Sequence, residues 1–224
     1  MIPSRHSGTM ILLSGLVGVL LVLTAEARVG KSSESEFCTE TEECLMFKRI
    51  CETYEYEVRE YGPAKWVSTE VEAWFLDYAT YQAFWRLYGY ITGENHEGKN
   101  IEMTSPVLVE ILKNGVYKMS FLLPSEFQRN PPKPTDKKVY LIDMPGKIVY
   151  VRSFGGWLTH ITDVYHSYKL SSALDSSGAM YQKSPRYAVG YNSPMTLFDR
   201  HNEVWYMAEG KPVCPSPGEQ LLSD

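Results

Sequence analysis

Between residues 54 and 208 the apolar positions keep two rhythms in turn, every second residue and then every third or fourth, and that order occurs twice. Residues 54–61 set Tyr54, Tyr56 and Val58 against Glu55, Glu57 and Arg59. After Gly62-Pro63, residues 65–71 continue at strand period, which predicts a first hairpin. A helix follows, capped by Asp77, reaching about Ile91 and stopped by Gly93. Residues 107–112 and 116–123 predict a second hairpin around Asn114-Gly115, a step that tolerates positive φ in a tight turn. The scheme repeats as strands over 139–144 and 148–154, a helix over about 159–174, and strands over 186–191 and 203–207. The halves, 54–124 and 139–208, are parted by a proline-rich connector and offset by about 80 residues, too long a period for a solenoid. Such a duplicated ββαββ unit predicts one shared core with a cleft beside its helices.

On a helical wheel the first helix carries two stripes. Ala79, Ala83, Leu87 and Ile91 form a small, aliphatic one, expected to pack on the sheet, while Tyr81, Phe84, Trp85 and Tyr88 form an aromatic one on a neighbouring face. Exposed, contiguous apolar area marks a binding surface, so the aromatic stripe is the candidate shelf for a flat, hydrophobic ligand.

The ends of the chain read differently. Arg5 and His6 precede an apolar run over 10–23, and Ala25-Glu26-Ala27 offers small residues at a cleavage site, so residues 1–27 are expected to be a signal peptide and the protein to be secreted. No other stretch is long and apolar enough to span a membrane. Residues 28–53 form a cysteine-containing extension whose first part, 28–37, reads as a flexible leader, with structure beginning near Thr39; residues 209–224 form a C-terminal tail. The net charge of -5 argues against a nucleic-acid partner.

All four cysteines, Cys38, Cys44, Cys51 and Cys214, fall outside the repeats. An even count in a secreted chain predicts two disulfides rather than a metal site. Three connectivities are open. Cys38 with Cys44 and Cys51 with Cys214 is favoured, since the second bond would staple both chain ends to the repeated body. A helix over 41–51 would moreover set Cys44 and Cys51 about 10 Å apart.

Residues for catalysis are lacking: there is no Gly-x-Ser-x-Gly elbow, Walker loop or His-Glu-x-x-His. His160, Asp163 and His166 share the second helix, but the two histidines differ by about 240° around it, which suits solvated residues better than a metal site. His96, in the loop after the aromatic helix, is a weak candidate for an axial iron ligand.

Six segments, taken in order, carry a resemblance: Tyr61-Gly-Pro-Ala-Lys-Trp-Val-Ser-Thr69, Met103-Thr-Ser-Pro-Val107, Pro124-Ser-Glu-Phe-Gln128 with Pro131-Pro132, Val151-Arg-Ser-Phe-Gly155, Gly190-Tyr-Asn-Ser-Pro194 and Asn202-Glu-Val-Trp205. On these the chain resembles the SOUL/heme-binding protein family over about residues 54–208. The resemblance implies an α+β fold, a distorted antiparallel β-barrel of two four-stranded sheets with two helices. It also implies that heme or another tetrapyrrole lies in a shallow cleft between the first helix and the loop before the last strand; the protein is expected to be a non-enzymatic monomer.

Phe84 and Tyr88 match apolar contact positions of that cleft. The family's basic positions fall at Tyr81, Gly89 and Thr196, and a histidine proposed as iron ligand within the family falls at Glu60. Losing three exposed ion pairs removes roughly 1–3 kcal/mol, whereas burying several hundred Å² of porphyrin at about 25 cal/mol per Å² is the larger contribution. The expected mode is weak, largely apolar heme binding without a histidine ligand. The alternative is an extracellular interaction module that has kept the fold and lost the ligand. A further theme of the family, a segment resembling the BH3 motif, would fall at Leu170-Ser-Ser-Ala-Leu174-Asp175 and is discounted for a secreted chain.

Overall fold

A computed structural model describes residues 29–214; the predicted signal segment and the last ten residues of the tail lie outside the described residues. The chain runs β1 Val29–Lys31, β2 Glu43–Leu45, β3 Lys48–Glu52, β4 Glu57–Tyr61, β5 Ala64–Glu72, α1 Leu76–Ile91, β6 Val107–Ile111, β7 Val116–Leu122, β8 Val139–Met144, β9 Lys147–Phe154, α2 His160–Ser176, β10 Tyr181–Gly190 and β11 Asn202–Ala208. β1 and β2 pair with each other, and the other nine strands form one antiparallel sheet in the order β3-β4-β9-β11-β10-β6-β7-β5-β8.

The predicted first hairpin does not form. β4 pairs with β9, and β5 pairs with β7 and β8. The reason lies in what the two strands cover: Tyr56 and Val58 bury under α2, whereas Val67 and Val71 bury under α1. Within the eight strands from β4 to β8 the ladder is symmetric about the β10–β6 pair, with β4 and β8, β5 and β9, β6 and β10, and β7 and β11 equivalent. Each quartet thus takes its outer strand from the other repeat.

Hydrogen bonding gives one continuous ladder where two four-stranded sheets closed into a barrel are expected, and among the described residues no pairing joins its ends. The chain itself brings those ends together. Six strand-to-strand steps separate β4 from β5 in the ladder, about 29 Å if the sheet were flat. Gly62 and Pro63 alone connect them, a link reaching at most about 11 Å. Pro145 and Gly146 connect β8 to β9 across the same interval, so the sheet curls back on itself. At this seam a Cβ on Gly146 would come within 3.1 Å of the Tyr61 carbonyl oxygen, which accounts for the glycine.

Helices pack on the convex side of the sheet. Ala79, Ala83, Leu87 and Ile91 of α1 are buried against Val67, Val109, Met119 and Phe121, as the aliphatic stripe predicts. Asp77 is not the cap of α1: Phe75 takes that position, and the Asp77 carboxylate accepts from the backbone N–H of His160 in α2. Thr159 caps α2 in a reciprocal pair with Thr162. Asn114 and Gly115 turn the β6–β7 hairpin at φ 63° and +74°. Leu170 and Leu174 are fully buried on the inner face of α2, so the BH3-like stretch turns both its leucines to the core.

The concave side is filled by Trp66, Leu108, Tyr187 and Trp205, and the N-terminal extension closes over it. The extension is not a leader: residues 29–31 pair with 43–45. Nor is the segment 41–51 helical, since it supplies β2 and the start of β3; the disulfides are Cys38–Cys44 and Cys51–Cys214. Phe37 and Phe47 lie over the Arg59 guanidinium, and Phe37 stacks on His201 at 4.0 Å. Beneath them the Glu203 carboxylate accepts from Arg59 at 2.8 Å and from the Trp205 indole at 2.6 Å, with His201 at 2.7 Å.

Burial alone pushes Glu203 up, but the hydrogen bonds and charges of His201 and Arg59 together outweigh it and hold the carboxyl below its usual 4.5. A carboxyl with a depressed folded pKa stabilises the fold above its unfolded value, and that stabilisation fades as pH falls through the folded one. The unfolding free-energy gap between the protein and a Glu203→Gln variant therefore narrows as pH drops from about 5 to about 3 in denaturant melts. A gap constant across that range would contradict the assignment.

Candidate functional site

With its aliphatic stripe spent on the sheet, α1 turns its aromatic residues outward. Tyr81 is 64%, Trp85 53% and Tyr88 41% exposed, and Phe84 is half-buried against the core beneath. Phe84 and Tyr88 stack with ring centroids 5.7 Å apart, Trp85 stands edge-on to Tyr88 at 5.6 Å, and Tyr81 stands edge-on to Trp85 at 6.3 Å. Phe84 is anchored from below by Phe121 at 5.6 Å. All four predicted shelf residues are therefore brought into one contiguous aromatic surface, anchored on its inner side and open on the other.

Further aromatic residues outside the predicted stripe are exposed. Trp74, Phe75 and Tyr78 are exposed at the start of α1, and Phe75 stands edge-on to His160. Tyr78 lies three residues before Tyr81, so its place on the stripe was open to the same helical reading. Trp157, just before α2, and Ile161, Tyr165 and Tyr168 on α2 are also exposed.

Cationic groups are scarce on this face. Arg86, the one basic residue of α1, donates to the Glu70 carbonyl at 3.0 Å and is turned back toward β5. At Gly89 an added Cβ would meet the Glu94 carboxylate at 2.5 Å. Thr196 donates to Glu40 at 2.6 Å, one of three bonds by which Glu40 ties the β10–β11 loop to the N-terminal extension. Burial pushes Glu40 up, but the bonds from Thr196, the Ser193 backbone and Asn192, together with the Arg200 charge, outweigh it and keep the carboxyl below its usual range.

The remaining candidates are scattered. Glu60 lines a pocket at the Gly62–Gly146 seam, on a strand that packs under the other helix. His96 is exposed in the loop after α1, its backbone N–H bonded to Lys133, and its ring makes no ring contact with the aromatic cluster among the described residues. Asp163 is buried and bonded to Arg186, while His166 stacks on Phe154 at 4.0 Å. Among the described residues no three His, Cys, Asp or Glu side chains converge to hold a metal ion.

A sequence profile of the SOUL heme-binding protein family matches residues 42–207, which takes in α1, α2 and both strand quartets. The chain belongs to the SOUL heme-binding protein family. Heme-binding protein 2 of Homo sapiens is 37% identical over 164 residues, covering 70% of this chain and 80% of that protein. Heme-binding protein 1 of Xenopus tropicalis is 35% identical over 159 residues, covering 68% and 83%. Among solved structures, the EcmrR C-terminal domain superposes with a TM-score of 0.53 at 10% identity, over 74% of this chain and 99% of that domain, a likeness of fold alone. The SOUL profile starts at residue 42, so β1 and Cys38 precede the matched region while Cys44 lies within it.

Proposed function

We propose that this SOUL-family chain is a secreted, non-enzymatic protein that binds heme or a related tetrapyrrole on the outer face of α1, with Tyr81, Phe84, Trp85 and Tyr88 as the shelf. The observation that carries the reading is the exposure of Tyr81, Trp85 and Tyr88, packed with the half-buried Phe84, on a helix whose other face is used by the core. Relatives named for heme binding, 31–37% identical among the heme-binding proteins of human, frog, mouse and cattle, support the ligand class. Two disulfides and no free cysteine among the described residues support an oxidising compartment. The site offers flat apolar contact, and the one basic residue of α1, Arg86, is turned away to the Glu70 carbonyl, so the porphyrin ring supplies most of the affinity.

Titration of protein lacking residues 1–27 with hemin, followed by the Soret band and tryptophan quenching, tests this. Stacked aromatic contacts contribute about 0.5–1.5 kcal/mol each, so Phe84→Ala/Tyr88→Ala weakens one-to-one binding by about tenfold or more. Because Phe84 also supports the core, Tyr81→Ala/Trp85→Ala serves as a second variant built from exposed residues only. Equal binding by both variants, or no saturable binding, overturns the site.

A second reading has its own support. Tyr81, Gly89 and Thr196 stand at the family's basic positions, and Thr196 is already engaged by Glu40. An extracellular interaction module using the same aromatic face fits those losses, and absence of saturable hemin binding would favour it.

A further inference from the structure

The chain treats the outer strands of its two quartets differently. β4 and β8 are equivalent, yet the outer side of β4 is covered by β3 from the N-terminal extension. β8 is the last strand of the ladder and pairs with β5 alone, so its other edge meets no strand among the described residues.

The register tells which backbone groups lie on that edge. The Lys65 carbonyl of β5 accepts from the Leu123 N–H, and the Ala73 N–H donates to the Gly115 carbonyl, so odd-numbered residues of β5 bond toward β7 and even-numbered ones toward β8. Ala64, Trp66 and Ser68 stand opposite Met144, Ile142 and Tyr140, which therefore take the bonds to β5. Val139, Leu141 and Asp143 turn their N–H and C=O groups outward. The Val139 N–H donates to the Asp136 carbonyl, whereas the backbone groups of Leu141 and Asp143 make no hydrogen bond among the described residues.

An edge of this kind is a template for another strand unless charge, proline or a cover blunts it. Charge is present here, but it is sorted by sign. Lys137 and Lys138 precede β8 without an ion-pair partner among the described residues, and Asp143, 81% exposed and paired with Lys65, stands near its end. Such an arrangement repels a parallel copy of the same strand and attracts an antiparallel one.

We propose that the β8 edge is a self-association surface, which pairs antiparallel with β8 of a second copy about a two-fold axis at Leu141. In that register the two Leu141 residues exchange both their bonds, and each Asp143 N–H donates to the Val139 carbonyl of the other copy. Lys137 and Lys138 come beside the partner's Asp143. The Val139 N–H stays with Asp136, so of the unpaired outward groups only the Asp143 carbonyl is left over. The ladder then runs on into the second copy with both α1 helices on its convex side, where the sequence leads one to expect a monomer. Leu141 and Ile142 are already half-buried, so pairing adds little apolar area and the dimer is of the weak, reversible class.

Sedimentation equilibrium of the purified protein, from about 1 to about 200 µM, tests this. The average mass is expected to rise with concentration toward that of two chains. Asp143→Pro removes an N–H that faces solvent in the single copy, a place where an edge strand accepts proline, and is expected to weaken the association by about tenfold or more. Its urea midpoint, compared with that of the parent, checks that the fold is kept. A charge swap supplies a second route: Asp143→Lys weakens the dimer, and adding Lys137→Glu/Lys138→Glu restores it. A mass that stays at one chain throughout, or a dimer that both the proline and the charge reversal leave unchanged, overturns the proposal.

Discussion

Arg59→Met lowers the free energy of unfolding by about 3–5 kcal/mol, measured as a fall in the urea midpoint at unchanged slope. Arg59 and Glu203 are both fully buried, and methionine keeps much of the arginine's volume, so the loss is of charge rather than of packing. Glu57 still has Arg49 at 2.9 Å after the change, whereas Glu203 keeps only His201 as a cationic partner. The penalty is therefore that of a carboxylate stranded in the core. Replacing both partners, as Arg59→Met/Glu203→Gln, removes the stranded charge and recovers a substantial part of the loss. A single variant within about 1 kcal/mol of the parent would show that the pair is not the keystone of this region.

Opening the Cys51–Cys214 bond, as Cys51→Ser/Cys214→Ser, costs about 2–5 kcal/mol in the same assay. The bond joins residues 163 positions apart, so it constrains most of the unfolded chain. Chain entropy alone gives about 5 kcal/mol for such a loop, against about 2 for the six-residue separation of Cys38 and Cys44. The tail keeps other ties in the folded state: the Val213 N–H donates to the Tyr150 hydroxyl at 3.0 Å, and the Tyr56 hydroxyl donates to the Val213 carbonyl at 3.3 Å. The folded form therefore changes little, and the effect acts through the unfolded chain. A midpoint shift equivalent to less than about 1 kcal/mol would mean that the unfolded chain is already compact around this pair.

How far sequence could reach into this molecule depended on the range of the interactions concerned. The two faces of α1 are local, set by residues three and four apart, and they were legible before any partner was known. So were the Asn114-Gly115 turn and the breaker at Gly93, whose positive φ depends on the chain alone. The partner of β4 was not legible, because alternation says which residues face inward and nothing about which strand lies alongside. Local pattern also misplaced the start of the fold: Val29–Lys31 is a three-residue strand whose stability comes from β2, too short to register as a period. Asp77 has the chemistry of a cap, but α2 lies close enough to claim its carboxylate. The aromatic shelf could be named from its stripe, while its openness depended on what the rest of the chain left uncovered. The seam gave no signal at all, since it forms only where residues 62 and 146, far apart in the chain, meet.

The exchange of outer strands between the quartets has a consequence for what a single repeat could be. Each ββαββ unit builds three strands of one quartet and sends its first strand to complete the other, so neither unit is a finished object by itself. A free-standing unit would satisfy its sheet only by borrowing the first strand of a second copy, which is the reciprocal contact of a two-fold dimer. Carrying both units on one chain makes that contact intramolecular, and the integrity of the fold becomes independent of how many molecules are present.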